Sequence, residues 1–188
     1  MAKMTNAQGI RLYESIRSHM GQAEADEFAA ALPLSQSADY LKKFDWARRS
    51  MEYITEKYSD DEVRALRMDC HCNINHGEAE RLRRLYNESG SAESFCRNFT
   101  ETGGGAFSLW YIADEAAIYM SYPTCYCSCV KRVPETLSPA WCLCTLGYTK
   151  EMFSVITGGD VNVELIESIK RGDDRCVMKI TGAERCIS

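Results

Sequence analysis

The hydrophobic period of this chain changes at one place, Gly103-Gly104-Gly105, and that change limits what it can fold into. Three consecutive glycines cannot continue a helix cheaply. Before them, apolar residues recur at helical spacing. Ile10, Leu12, Tyr13, Ile16 and Met20 mark a helix over 9–20, and alanine-rich 23–32 marks a second that stops at Pro33. Ser35 to Tyr58 carries the longest pattern, through Tyr40, Leu41, Phe44, Trp46, Ala47, Met51, Ile54 and Tyr58, with Ser37, Ala38 and Asp39 supplying its start. Ser59-Asp60-Asp61-Glu62 places acidic residues in the first turn of a further helix, where the helix dipole favours them. Two more helices are predicted over 77–86 and 91–99. After the glycines the residues become aromatic and β-branched, and 107–112 with 117–122 reads as a hairpin. Its second strand is expected to run on past Pro123 through Cys125-Tyr-Cys-Ser-Cys-Val130. A helix over 146–156 ends at Gly158-Gly159, and 161–169 with 176–180 forms a second hairpin around Lys170-Arg-Gly-Asp-Asp174. The expected fold is α+β. A helical N-terminal half, 1–102, packs on an antiparallel sheet, 103–188, whose elements run strand-strand-helix-strand-strand, the helix covering one face. The two parts are also compatible with one compact unit.

At 188 residues, with 45% hydrophobic and 26% charged residues, the chain has the composition of a globular protein with a good core. Its net charge of −5 argues against nucleic acid as a partner, because such binding is driven by phosphate neutralisation. No apolar run approaches the ~20 residues that span a bilayer, so no membrane partner is expected. The segment from Met1 to Leu12 lacks an apolar signal core, which points to the cytoplasm. A homo-oligomer is left open.

Seven of the ten cysteines fall in three clusters in which every second residue is a cysteine. They are Cys70 and Cys72, then Cys125, Cys127 and Cys129, then Cys142 and Cys144. In a reducing compartment such clusters read as metal ligands or catalytic thiols rather than disulfides. Alternate residues on a strand project to one face, about 7 Å apart, which suits convergence on a third object better than mutual bonding. The alternative is that the cysteines pack as small half-buried hydrophobes. That reading is adopted for Cys96, Cys176 and Cys186. The clusters point to a metal, with zinc the first choice and an iron–sulfur cluster the alternative. Cys127, Cys142 and Cys144, with Cys125 or Cys129 beside them, form the expected centre. Cys70 and Cys72, at the end of a helix, would fold over the sheet and close the site.

Other features weigh less. His71 lies between two candidate ligands and is expected to face solvent, His76 equally well begins the next helix, and His19 is structural. A nucleophilic cysteine at Cys70 or Cys72 with His71 or His76 as base is a competing reading, yet it would leave the other thiols unexplained. Gly103-Gly104-Gly105 lacks the lysine of a phosphate loop and reads as a linker. Arg81, Arg83 and Arg84 read as the solvated face of a helix, partly neutralised by Glu78, Glu80 and Glu88. Trp110, Tyr111, Tyr119, Tyr122, Tyr126, Trp141, Tyr148 and Phe153 are core residues by default.

Cys142-Leu-Cys-Thr-Leu-Gly-Tyr148, the helix after it, Gly158-Gly159, Val161 to Glu167 and Arg171-Gly-Asp-Asp-Arg-Cys176 resemble the 4-vinyl reductase domain family over the last third to half of the chain. That family includes a bacteriochlorophyll vinyl reductase component and the sensory domains of aromatic-responsive regulators. The Cys-x-Cys-x-Cys and Trp-Cys-x-Cys elements resemble a cysteine-rich group of bacterial and archaeal proteins, some labelled aminothiazoline-carboxylate hydrolase-like. The resemblance implies a small apolar or aromatic ligand held between helix and sheet. It also implies a zinc held by a cysteine before the helix and by an acid and two cysteines around the last hairpin. Cys142 and Cys176 stand at the first and last of those positions, whereas Leu165 and Ser168 stand at the other two. The relatives' zinc site is therefore not kept whole, and the extra thiols at Cys144 and at 125–129 are expected to replace what is missing. The sequence thus points to a metal-binding, small-molecule-binding protein. A metal- or thiol-dependent hydrolase and an iron–sulfur redox protein are the alternatives, and whether the chain is an enzyme stays open.

Overall fold

The computed structural model describes residues 4–103 and 105–183. Gly104 of the glycine run and the last cysteine, Cys186, lie outside the described residues. The architecture is α+β, with seven α-helices and one four-stranded antiparallel sheet among the described residues.

Helix starts follow local capping chemistry. Helix α1 (Ala7–Met20) opens on Asn6, whose side chain accepts the Gln8 N–H at 3.0 Å, and closes at Gly21 with φ +98°. Helix α2 (Gln22–Ala31) follows at once. Helix α3 (Tyr40–Lys57) starts at the end of the Ser37-Ala38-Asp39 stretch expected to open it. Asp39 accepts the Lys42 N–H at 2.8 Å, and Ser35 to Ala38 forms a turn. Helix α4 (Asp60–Asp69) carries a full capping box between Ser59 and Glu62. Helices α5 (His76–Ser89) and α6 (Ala92–Glu101) open on Asn75 and Ser91.

Strands β1 (Ser108–Ile112) and β2 (Ala117–Tyr122) form the first hairpin, with a 3-10 turn over Ala113–Glu115. A second 3-10 turn, Pro139–Cys142, leads into helix α7 (Leu143–Thr157). Cys144 is therefore inside the helix, which begins three residues before the expected start. Strands β3 (Asn162–Glu167) and β4 (Cys176–Thr181) form the second hairpin. The chain order is strand-strand-helix-strand-strand as expected, and in the sheet the strands lie β1-β2-β4-β3. Register places Trp110 opposite Tyr119, with the rings stacked 5.4 Å apart.

The predicted continuation of β2 through Cys125 to Val130 does not form. The strand ends at Tyr122, opposite Cys176, and the next residue, Pro123, has no N–H to offer a ladder. The cysteine segment folds on itself instead, the Val130 and Lys131 N–H groups both donating to the Cys127 carbonyl at 3.1 and 2.9 Å. Its cysteines therefore do not share a strand face.

The chain divides into two compact units, a partition different from 1–102 and 103–188. The first comprises residues up to Cys72 together with Cys125–Gly147, and the second comprises Asn73–Thr124 together with residues from Tyr148 on. All seven clustered cysteines belong to the first unit. Its core is built from α1, α2, α3, α4 and the Pro139–Cys142 turn around Leu12, Ile16, Phe28, Met51, Leu66 and Trp141. In the second unit α5 packs on α6 and α6 on β1, with Tyr86, Phe95, Ile118, Met120 and Met178 buried. There the Tyr86 hydroxyl donates to the Ala183 carbonyl.

Candidate functional site

The centre of the first unit is a cation. Val63, Leu66, Arg67 and Cys70 lie on one face of α4, and Arg67 on that buried face is 0% exposed. Its Nη2 donates to the Trp141 carbonyl at 2.5 Å, its Nε to the Ala140 carbonyl at 3.3 Å, and its Nη1 to the Cys70 sulfur at 2.8 Å. The guanidinium also sits 4.6 Å from the centroid of the Trp141 ring, a cation–π contact. Trp141 is itself braced by Trp46, edge-on at 6.2 Å between centroids.

A buried cation needs an anion, since taking it out of water costs several kcal/mol that only a close partner offsets. No carboxylate holds Arg67 among the described residues; sulfurs do. Burial alone would lower its pKa, but the Cys70, Cys144, Cys127 and Cys142 sulfurs together outweigh that and hold it above the usual value. Four thiols from three separate segments thus bear on one guanidinium.

Those thiols are not equivalent. Cys127 is drawn well below the usual thiol range, first by the Cys129 thiol donating to it, against the opposing effect of burial, and then by the Cys129 N–H, the Trp141 indole and Arg67. Cys129 is correspondingly pushed up, because it keeps the proton of the pair. The Trp141 Nε1 is buried without a hydrogen bond of normal geometry, so its N–H is available to a sulfur acceptor. Burial pushes Cys70 up, opposed by Arg67 and Arg11, and its thiol donates to the Arg67 carbonyl at 3.4 Å. The Cys144 sulfur is enclosed although the residue as a whole is half-buried, and burial pushes it up as well. It donates to the Trp141 carbonyl at 3.5 Å. Within this group Cys127 is the thiol drawn toward the thiolate, beside one guanidinium, while burial pushes Cys70 and Cys144 the other way.

Of the seven cysteines singled out in the sequence, Cys70 is hydrogen-bonded to Arg67, Cys127, Cys142 and Cys144 act on it electrostatically, and Cys129 is bonded to Cys127. Cys125 is partly buried against the same core. Cys72 is exposed, with Arg11 Nη2 donating to its sulfur at 3.4 Å. Among the described residues no three Cys, His, Asp or Glu side chains are set around one point as a metal requires. His71 turns its Nδ1 to the Cys72 carbonyl at 2.9 Å. His19 pairs with Asp69 at 2.5 Å on the surface. Cys176 lies on β4 in the second unit, and Ser168 caps its own 3-10 turn there by accepting the Lys170 N–H at 3.3 Å.

Gly147, in the Leu-Gly-Tyr stretch of α7, holds the site together by its lack of a side chain. A Cβ there would collide with the Met68 carbonyl and come within 2.8 Å of the His71 ring. Arg67 and Trp141 were missed in the sequence. The available signal was an arginine at helical spacing among Val63, Leu66 and Cys70, on the face that had to be buried.

The site defines the molecule as an α+β protein with an arginine-centred thiol cluster. The chain belongs to DUF6144, described as a family of unknown function, whose family model matches residues 1–187. No curated protein matches it in sequence. Among solved structures, the crystal structure of an H-NOX protein from S. oneidensis in the Fe(II)NO ligation state is similar at 12% identity, covering 94% of this chain and 98% of that one, with a TM-score of 0.42. That likeness carries no argument about the site. No described helix is long and apolar enough to cross a membrane.

Proposed function

We propose that the protein binds zinc through Cys70, Cys127, Cys142 and Cys144, with Arg67 as the buried counter-charge. The observation that carries this reading is that four sulfurs from three segments bear on one buried guanidinium to which no carboxylate is bonded among the described residues. Four thiolates around a divalent ion leave a net charge of −2, which an apolar interior does not tolerate without compensation. Arg67 and the Trp141 indole N–H are donors of the kind that support metal thiolates from outside the ligand shell. Ligand type and number fit zinc, and equally an iron–sulfur cluster. The sulfurs now address the guanidinium rather than one point, so ligation requires each cysteine to turn about its single side-chain torsion. Four protein ligands leave no open position, which favours a structural metal over a hydrolase.

The small-molecule side of the proposal falls on an open groove of about 640 Å³ along Leu32, Leu34, Leu41 and Trp46. Those side chains suit an apolar or aromatic molecule, and Ser35, Lys42, Asp45 and Arg49 line the same groove with polar groups. Trp46 at its floor touches Trp141, so occupancy of the groove bears on the ring that stacks on Arg67. The resemblance of 142–180 to 4-vinyl reductase domains is in keeping with such a ligand, and with a zinc held by other residues than the relatives use.

The test is elemental analysis of protein purified anaerobically without added metal. Stoichiometric zinc is expected, lost in Cys127→Ser and in Cys142→Ser and retained in Cys72→Ser. Brown protein with visible absorbance replaces zinc by an iron–sulfur cluster. Metal-free protein with every thiol titratable overturns the proposal.

A further inference from the structure

We propose that Gln8 and Arg11, beside the exposed Cys72, form a binding site for a small anion presenting two adjacent oxygens, of carboxylate or phosphate type. Gln8 lies in the first turn of α1 and is 4% exposed. Its amide oxygen is taken by Arg11 Nη2 at 2.9 Å, which leaves the amide nitrogen as the free end. That nitrogen is buried and has no acceptor, and the same is true of Arg11 Nε. Residues three apart on a helix share a face, so the two unmet donors belong to one locality. The Arg11 guanidinium also reaches the exposed Cys72 sulfur at 3.4 Å, which puts this locality beside a thiol open to solvent.

Among the described residues no carboxylate is bonded to Arg11. Buried N–H groups in folded proteins find acceptors almost without exception, and two adjacent ones without any are a place where an acceptor has still to arrive. A water molecule would satisfy a donor but would leave the arginine unbalanced. A carboxylate or phosphate supplies two acceptor oxygens and the missing negative charge, in the geometry guanidinium and amide groups recognise. None of the four thiols assigned to the metal takes part, so this inference stands or falls apart from the zinc.

The test is titration of isotope-labelled full-length protein with sodium formate and, separately, with inorganic phosphate at constant ionic strength. The readout is the side-chain N–H signals of Arg11 and Gln8. Saturable shifts of both groups are expected, and a response to one anion alone identifies which source of the chemistry the site takes. Arg11→Gln should weaken the response at least about tenfold, the loss expected when a charged hydrogen-bonding partner is removed. Gln8→Glu supplies the carboxylate from within, and should abolish the response while raising the thermal midpoint. It therefore reports even where Arg11→Gln folds poorly. No saturable shift with either anion, or a response unchanged in both variants, overturns the proposal and leaves water as the occupant.

Discussion

Cys96 and Cys127 are both thiols turned away from solvent, and their surroundings push them in opposite directions. Cys96, on α6 in the second unit, meets only apolar burial, which moves its pKa up to about 12. Cys127, in the first unit, is drawn below the usual range by the Cys129 thiol and by Arg67, despite its own burial. Desolvation disfavours the thiolate in both places, and only in the second is there a cation and a set of donors to overcome it. The lesson is that a count of buried cysteines says nothing of their chemistry, and a buried arginine among them says a great deal. Cys96 fills space in an apolar core, whereas the thiols of the first unit balance a charge.

The largest break in that contrast should come from Arg67→Leu. It strands a thiolate at Cys127 and leaves the Ala140 and Trp141 carbonyls without their donor, at a cost of about 3–5 kcal/mol by urea unfolding. A loss no greater than that of an ordinary core substitution would mean that the thiols of the first unit are packing residues like Cys96. Next comes Gly147→Ala, which forces α7 away from the Met68 carbonyl and should cost about 2–3 kcal/mol. If the proposed metal is bound, its content should fall in that variant too, since α7 carries Cys144. A weaker effect is expected from Cys96→Ala. Removing one sulfur from an apolar core costs about 1–2 kcal/mol and should leave the metal content of the purified protein unchanged. A change in metal content there would erase the distinction between the two regions. The smallest effect belongs to Ser91→Ala, which removes the side chain that accepts the Ser94 N–H at 3.1 Å at the start of the Cys96 helix. Loss of such a cap costs about 1 kcal/mol, visible in thermal unfolding, with the thiols of the first unit unaffected.

Much of the fold was legible because it is local. The helix patterns of 9–32 and 59–69, the two hairpins and the strand-strand-helix-strand-strand order follow from side-chain period and turn residues. What failed were boundaries governed by a turn or one missing N–H. The Pro139–Cys142 turn starts α7 earlier than its apolar pattern, and Pro123 ends β2 before the cysteines. That last miss displaced the candidate site. Cysteines spaced two apart were read as one strand face, whereas they lie in turns that fold back on Cys127.

The sequence by itself determined the α+β class, the order of the elements and the seven thiols worth attention, because periodicity and composition act over a few residues at a time. Only the tertiary structure decided that 125–147 packs with the N-terminal helices, that Cys70, Cys127, Cys142 and Cys144 gather at Arg67, and that Cys72 stays outside beside Arg11. The reason is physical. The gathering is driven by the need of one buried guanidinium for partners, and those partners lie three residues away in one case and sixty or more in the others.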